Sequence, residues 1–145
     1  MRFLVIVKAT EDTEAGILPG KNAFAEMERF NEELVKAGVL LAAEGLKPSS
    51  QGIRVRFKGR GKTKVTQGPF AHAEELVAGY WLWETSSLEG AIEWVKRAPF
   101  DREEIEIRPL YEAAEFASVD PTGEILDKEE ELRRLLERRK SGRAA

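Results

Sequence analysis

Three polar side chains are placed where chemistry would need them. Glu44 interrupts an otherwise apolar run, Leu40-Leu-Ala-Ala-Glu-Gly45. A carboxylate there costs free energy unless it is paired or lines a cavity. It reads either as a pocket carboxylate, able to act as general base, or as one half of a structural ion pair with Arg54 or Arg108. His72 is the single His of the chain, just past a tight turn. It reads as a pocket acid–base group or ligand, or as a solvent-facing residue opening a short helical turn beside Glu74 and Glu75. Arg108 could bind an anion through both guanidinium nitrogens, pair with Glu44 or Glu106, or be solvated. Among the aromatics, Trp81 and Trp83 share one strand face, whereas Tyr80 points the other way. They line a pocket or fill the core.

The counts narrow these options. The 145 residues include no Cys and one His. Thiol nucleophiles, disulfides, thiolate metal sites and Fe–S clusters are excluded, as is a multi-His zinc site within one chain. No metal and no cofactor is expected. Lys and Arg number 23 against 26 Asp and Glu, a net charge of −3. That balance is no nucleic-acid signature. One stretch departs from it: Arg54, Arg56, Lys58, Arg60, Lys62 and Lys64 contain no intervening acid. Cationic ribbons follow phosphates, but charge on an edge hairpin also prevents edge-to-edge pairing, and the second reading is preferred. No P-loop, Rossmann glycine pattern or nucleophile elbow is present. The apolar run Phe3 to Val7 is too short for a signal peptide, and no span suits a membrane, so a soluble cytoplasmic protein is expected.

The elements that must position these residues follow from patterning. Phe3–Val7 reads as a strand buried on both faces. Residues 9–21 read as a loop. Asn22 is a candidate N-cap for a helix whose face is Ala23, Met27, Phe30 and Leu34, ending at Gly38. Val39–Leu46 reads as a strand. Ile53, Val55 and Phe57 alternate with cations as a half-exposed strand, and Lys62–Thr66 returns as a hairpin. Gln67-Gly-Pro-Phe70 is a tight turn. Val77–Glu84 is a strand. Ser86 and Glu89 form a capping box for a helix with Leu88, Ala91, Ile92 and Val95 on its face, stopped by Pro99. Glu104–Arg108 alternates as a last strand. Residues 124–140 form a helix with acids first and bases last, carrying a narrow apolar stripe suited to a partner or a domain edge.

With the hairpin set aside, the order is β-α-β-β-α-β, the ferredoxin-like arrangement of an α+β domain over residues 1–112. Residues 113–145 form a C-terminal extension. Two helices cover one sheet face, and the apolar second face calls for a second copy, giving a homodimer, in preference to partial cover by the C-terminal helix.

Val65-Thr-Gln-Gly-Pro-Phe-Ala71 and Glu75-Leu-Val-Ala-Gly-Tyr-Trp81 resemble the signature of the YCII-related proteins called the DGPF family. Ala37–Leu46, Leu88–Arg97 and Glu106-Ile-Arg-Pro109 are similar to its second strand, second helix and last strand. The resemblance implies a dimeric α+β barrel with a pocket beside the sheet, no settled activity, and for some members a link to sigma factors and transcription. Gln67 stands where the signature begins with Asp, and is a binding candidate with Glu44, His72, Trp81 and Arg108. The His and Asp proposed as a catalytic pair in related proteins correspond here to Met27 and Ala98. A Met transfers no proton and an Ala orients no base. The expectation is a small-molecule-binding dimer with little or no catalysis. The alternatives are an enzyme using Glu44 or His72 as base, and an interaction module of the transcription machinery acting through the C-terminal helix or the basic hairpin.

Overall fold

The computed structural model describes residues 1–143. Strand β1 (Arg2–Lys8) leads through a one-turn helix α1 (Glu11–Glu14) into α2 (Lys21–Lys36) and β2 (Leu40–Gly45). A 3-10 turn at Ser49–Gln51 precedes the hairpin β3 (Ile53–Phe57) and β4 (Thr63–Gln67). Strand β5 (Val77–Glu84), helix α3 (Leu88–Lys96) and β6 (Ile105–Pro109) complete the first of two compact units, Met1–Leu110.

The main sheet has the order β2-β5-β1-β6, antiparallel throughout, and β3-β4 is a separate ribbon. That is the ferredoxin-like topology expected from the element order. Alternation along β1 sends Phe3 and Val5 to one face, where they are fully buried with Trp81, Trp83, Phe30, Leu34 and Ala91. Phe3, Val5, Phe30 and Leu34 each contribute roughly 1.5–3 kcal/mol by leaving water. Aromatic packing adds specificity: Phe30 meets Trp81 at 5.8 Å and Trp83 at 6.3 Å, edge to face. The opposite face carries Leu4, Ile6, Tyr80 and Leu82, all half-buried. β1 is thus fully buried on one face only.

Several boundaries differ from expectation. Residues 9–21 contain α1, because the Thr10 hydroxyl accepts from the Thr13 N–H and the Thr10 N–H donates to Thr13 Oγ1. Gly20, not Asn22, caps α2, which starts two residues earlier, at Lys21. Its C-terminal end is as expected: Gly38 takes φ 72° and the Val39 N–H reaches the Leu34 carbonyl. Ser87 caps α3 in place of Ser86, its hydroxyl accepting from the Gly90 N–H, since Thr85 is still tied to Met1 by a backbone hydrogen bond. Ala91, Trp94 and Val95 form the core face of α3, while Leu88 and Ile92 are exposed. The hairpin strands are exposed on both faces, not one, because the ribbon pairs with nothing but itself.

Tyr111–Ala145 forms the second compact unit. A 3-10 turn at Ala113–Phe116 is followed by α4 (Glu124–Arg143). The buried Asp120 carboxylate accepts from the Ile125 and Leu126 N–H groups, capping α4. Ile125, Leu132, Leu135 and Leu136 are exposed along it, and Glu129–Arg133 and Glu130–Arg134 pair one turn apart. No helix among the described residues is long and apolar enough to cross a membrane.

Candidate functional site

Strand register distributes the sequence candidates over three places. Glu44 and Arg108 both project from the sheet face turned away from the helices. Glu44 lies opposite Tyr80, which lies opposite Ile6, which lies opposite Glu106. The next row is Ala42, Leu82, Leu4 and Arg108. Glu44 and Arg108 therefore stand on opposite edge strands, three strand spacings or about 14 Å apart. They cannot pair within one chain. Arg108 instead approaches Glu106 at 3.4 Å, and Lys8 approaches the same carboxylate at 3.6 Å. No ion pair to Glu44 is found among the described residues.

Trp81 is 4% exposed and belongs to the core face, its Nε1–H donating to Asn31 Oδ1 at 2.9 Å. His72 is exposed, opens the Ala73–Glu75 turn with φ 64°, and faces Glu74 at 3.6 Å. Gln67 ends β4 opposite Ile53 and is exposed. The structure thus brings Glu44 and Arg108 to one face, and neither Trp81 nor His72 joins them there. Met27 packs half-buried against the α2 side of the core, and Ala98 packs against the same core after α3.

One built concavity has no signal in the sequence pattern. A groove of about 410 Å³ is lined by Glu14, Leu46, Lys47, Pro48, Ser49, Gln51, Gly52, Leu76 and Val77. Its polar anchor is the Glu14 carboxylate, which accepts from the Ser49 hydroxyl at 2.5 Å and from the Ser49 N–H at 3.1 Å. The same hydroxyl oxygen accepts from the Phe70 N–H at 3.0 Å. The turn of the signature is thereby tied to α1. Gly68 is required in that turn: a Cβ there would lie 1.8 Å from the Ser49 carbonyl oxygen. Lys47 has no ion pair among the described residues. The pairing of Glu14 with Ser49 spans 35 residues, and nothing in local spacing announces it. Glu103, which is not among the groove's lining residues, has a perturbed carboxyl. Burial raises the Glu103 carboxyl, but backbone N–H groups of Asp101, Glu103 and Arg102 hold it below its ordinary value.

The split β-α-β topology and the turn locked onto Ser49 define the class: an α+β domain of ferredoxin-like architecture. The chain belongs to the YCII-related domain family, whose model matches residues 1–114. Among solved structures it is similar to 5-chloro-2-hydroxyhydroquinone dehydrochlorinase (TftG) from Burkholderia phenoliruptrix AC1100, in complex with 2,5-dihydroxybenzoquinone. The identity is 15%, the TM-score 0.40, and the match covers 79% of this chain and 98% of that one. No curated protein matches the chain.

Proposed function

We propose that this chain is a small-molecule-binding homodimer of the YCII-related family with little or no catalysis. The observation that carries the binding reading is the groove at Ser49. Its walls are apolar at Leu46, Pro48, Leu76 and Val77, and the Lys47 ammonium stands among them without an ion pair from the described residues. The Glu14 carboxylate is occupied by two hydrogen bonds from Ser49, so it serves as an anchor and not as a free base. That combination suits an apolar body bearing a carboxylate. Glu44 lies two residues along the chain from Leu46 and extends the candidate surface onto the sheet face.

The sheet face supports the dimer. Leu4, Ile6, Tyr80 and Leu82 form an apolar centre between an edge with Glu44 and an edge with the Glu106–Arg108 pair. A two-fold axis along the strands lays β2 of one copy over β6 of the other. Glu44 then stands over the row of the partner subunit's Glu106, a carboxylate flanked by Arg108 and Lys8 on its own chain. The absence of a proton-transferring side chain at Met27 and Ala98 favours binding over reaction.

A thermal-shift screen of small carboxylic acids tests the ligand reading. A true ligand raises the melting temperature by mass action, and Lys47→Ala abolishes that rise. A screen without hits, or a hit indifferent to Lys47→Ala, contradicts it. Partner capture through the basic hairpin or the C-terminal helix, as a transcription-associated module would require, is the competing result.

A further inference from the structure

The basic ribbon has a second property that its sequence pattern does not reveal. Between Glu44 and Glu74 there are seven Lys and Arg and no acid. In a chain of net charge −3, the remaining residues therefore carry −10. The cations are sorted by the strand period: Arg54 lies opposite Thr66 and Arg56 opposite Lys64, so these four share one face of the ribbon. Ile53, Val55, Phe57 and Val65 fall on the other. No ion pair among the described residues involves Arg54, Arg56, Lys58, Lys62 or Lys64. Arg54, Val55, Arg56, Lys64 and Thr66 line a concavity of about 410 Å³.

One of these cations is held in place. The Arg54 guanidinium lies 3.8 Å above the centre of the Phe70 ring. Phe70 is in turn fixed by its N–H to the Ser49 hydroxyl, and Ser49 by Glu14. A stacked guanidinium keeps its edge N–H groups for a ligand and loses less rotamer freedom on binding. The signature turn thus presents Arg54.

We propose that the Arg54–Arg56–Lys64–Thr66 face binds a compact oligophosphate, the two- or three-phosphate part of a small ligand. Three cations converge on one concavity, with neighbours about 7 Å apart along a strand and about 5 Å across the pair. Thr66 adds a hydroxyl donor. A long polyanion is disfavoured, because beyond the ribbon it meets a surface of net charge −10. The site shares no residue with the groove or the sheet face, so its success or failure is separate from theirs.

Calorimetric titration of the full chain with inorganic tripolyphosphate at about 0.15 M salt, where free surface charges are screened, tests the proposal. Saturable one-to-one binding is expected. Arg56→Ala and Lys64→Ala each weaken it about tenfold, and Lys21→Ala, an exposed cation elsewhere, leaves it unchanged. Phe70→Leu weakens it several-fold with no change in charge. Should that variant fail to fold, Arg54→Lys asks the same question, since it keeps the charge and loses the stacked plane. Adenosine triphosphate binding more tightly than tripolyphosphate identifies a nucleotide, and equal binding identifies the bare phosphate chain as the recognised part. Absence of saturable binding overturns the proposal. So does binding indifferent to Arg56→Ala and Lys64→Ala. A 20-nucleotide single strand that outcompetes tripolyphosphate, with affinity rising with length, overturns it in favour of nucleic-acid contact.

Discussion

At the scale of single residues, the two buried indoles separate packing from hydrogen bonding. Trp81 donates to Asn31, whereas the Trp83 Nε1–H is buried without a partner among the described residues. Both lose similar volume on conversion to Phe. Trp81→Phe also leaves the Asn31 carbonyl oxygen unpaired, at a cost of about 1 kcal/mol. Trp83→Phe removes an unsatisfied donor. Urea unfolding should therefore rank Trp81→Phe as the less stable by about that amount; the reverse order would contradict the assignment. Glu103 gives a pH signature. Its folded-state carboxyl is held below its ordinary value of 4.5, so its contribution is present above that pH and lost as pH falls below it. Glu103→Gln should be less stable than the parent at pH 7 and should match it in acid. Glu44 is the one acid in the run Leu40–Leu46. Its place in an apolar run predicts a desolvation cost and two partners, but on the edge strand β2 the residue is exposed and bears no such cost. Register places Arg108 on the far edge strand, which spacing along the chain cannot reveal.

At the scale of elements, hydrophobic period makes most of the fold readable. β5 is found at Val77–Glu84 as its apolar pattern requires. Phe30 and Leu34 face the core from α2 as their spacing requires. The one-turn helix α1 is not legible, because its cap uses Thr10 and Thr13 in a segment whose glycines and proline read as loop. The groove is hidden for a related reason: its anchor joins Glu14 to Ser49 through tertiary structure alone. The turn after β4 is where this anchor can be tested. Gly68→Ala forces a Cβ into the Ser49 carbonyl, a clash that overpacking data place at about 2 kcal/mol or more. A lowered urea midpoint is expected, together with loss of the Phe70 seat under Arg54. An unchanged midpoint would mean that the turn is not locked. For α4, deletion of residues 124–145 should leave the unfolding midpoint of the remaining chain and its oligomeric state unchanged. A deletion that abolishes dimerisation would assign the dimer contact to that helix and not to the sheet.

At the scale of the whole molecule, the sheet face turned away from α2 and α3 decides the oligomeric state. Leu4, Ile6, Tyr80 and Leu82 form a contiguous, half-buried apolar centre on that face. At its edges Arg108 pairs with Glu106 within the chain, while Glu44 has no ion pair among the described residues. Composition alone excludes thiol chemistry and metal sites built on several His residues. The topology adds that the one His stands apart from both the groove and the open face. Light scattering coupled to size-exclusion chromatography measures the central claim directly. At tens of micromolar, the parent chain should have twice the 16.3 kDa mass of the chain. Ile6→Glu, which puts a charge at the centre of the open face, should return that mass to the single-chain value while circular dichroism stays unchanged. A parent protein of single-chain mass, or an Ile6→Glu variant that remains folded and dimeric, would contradict it.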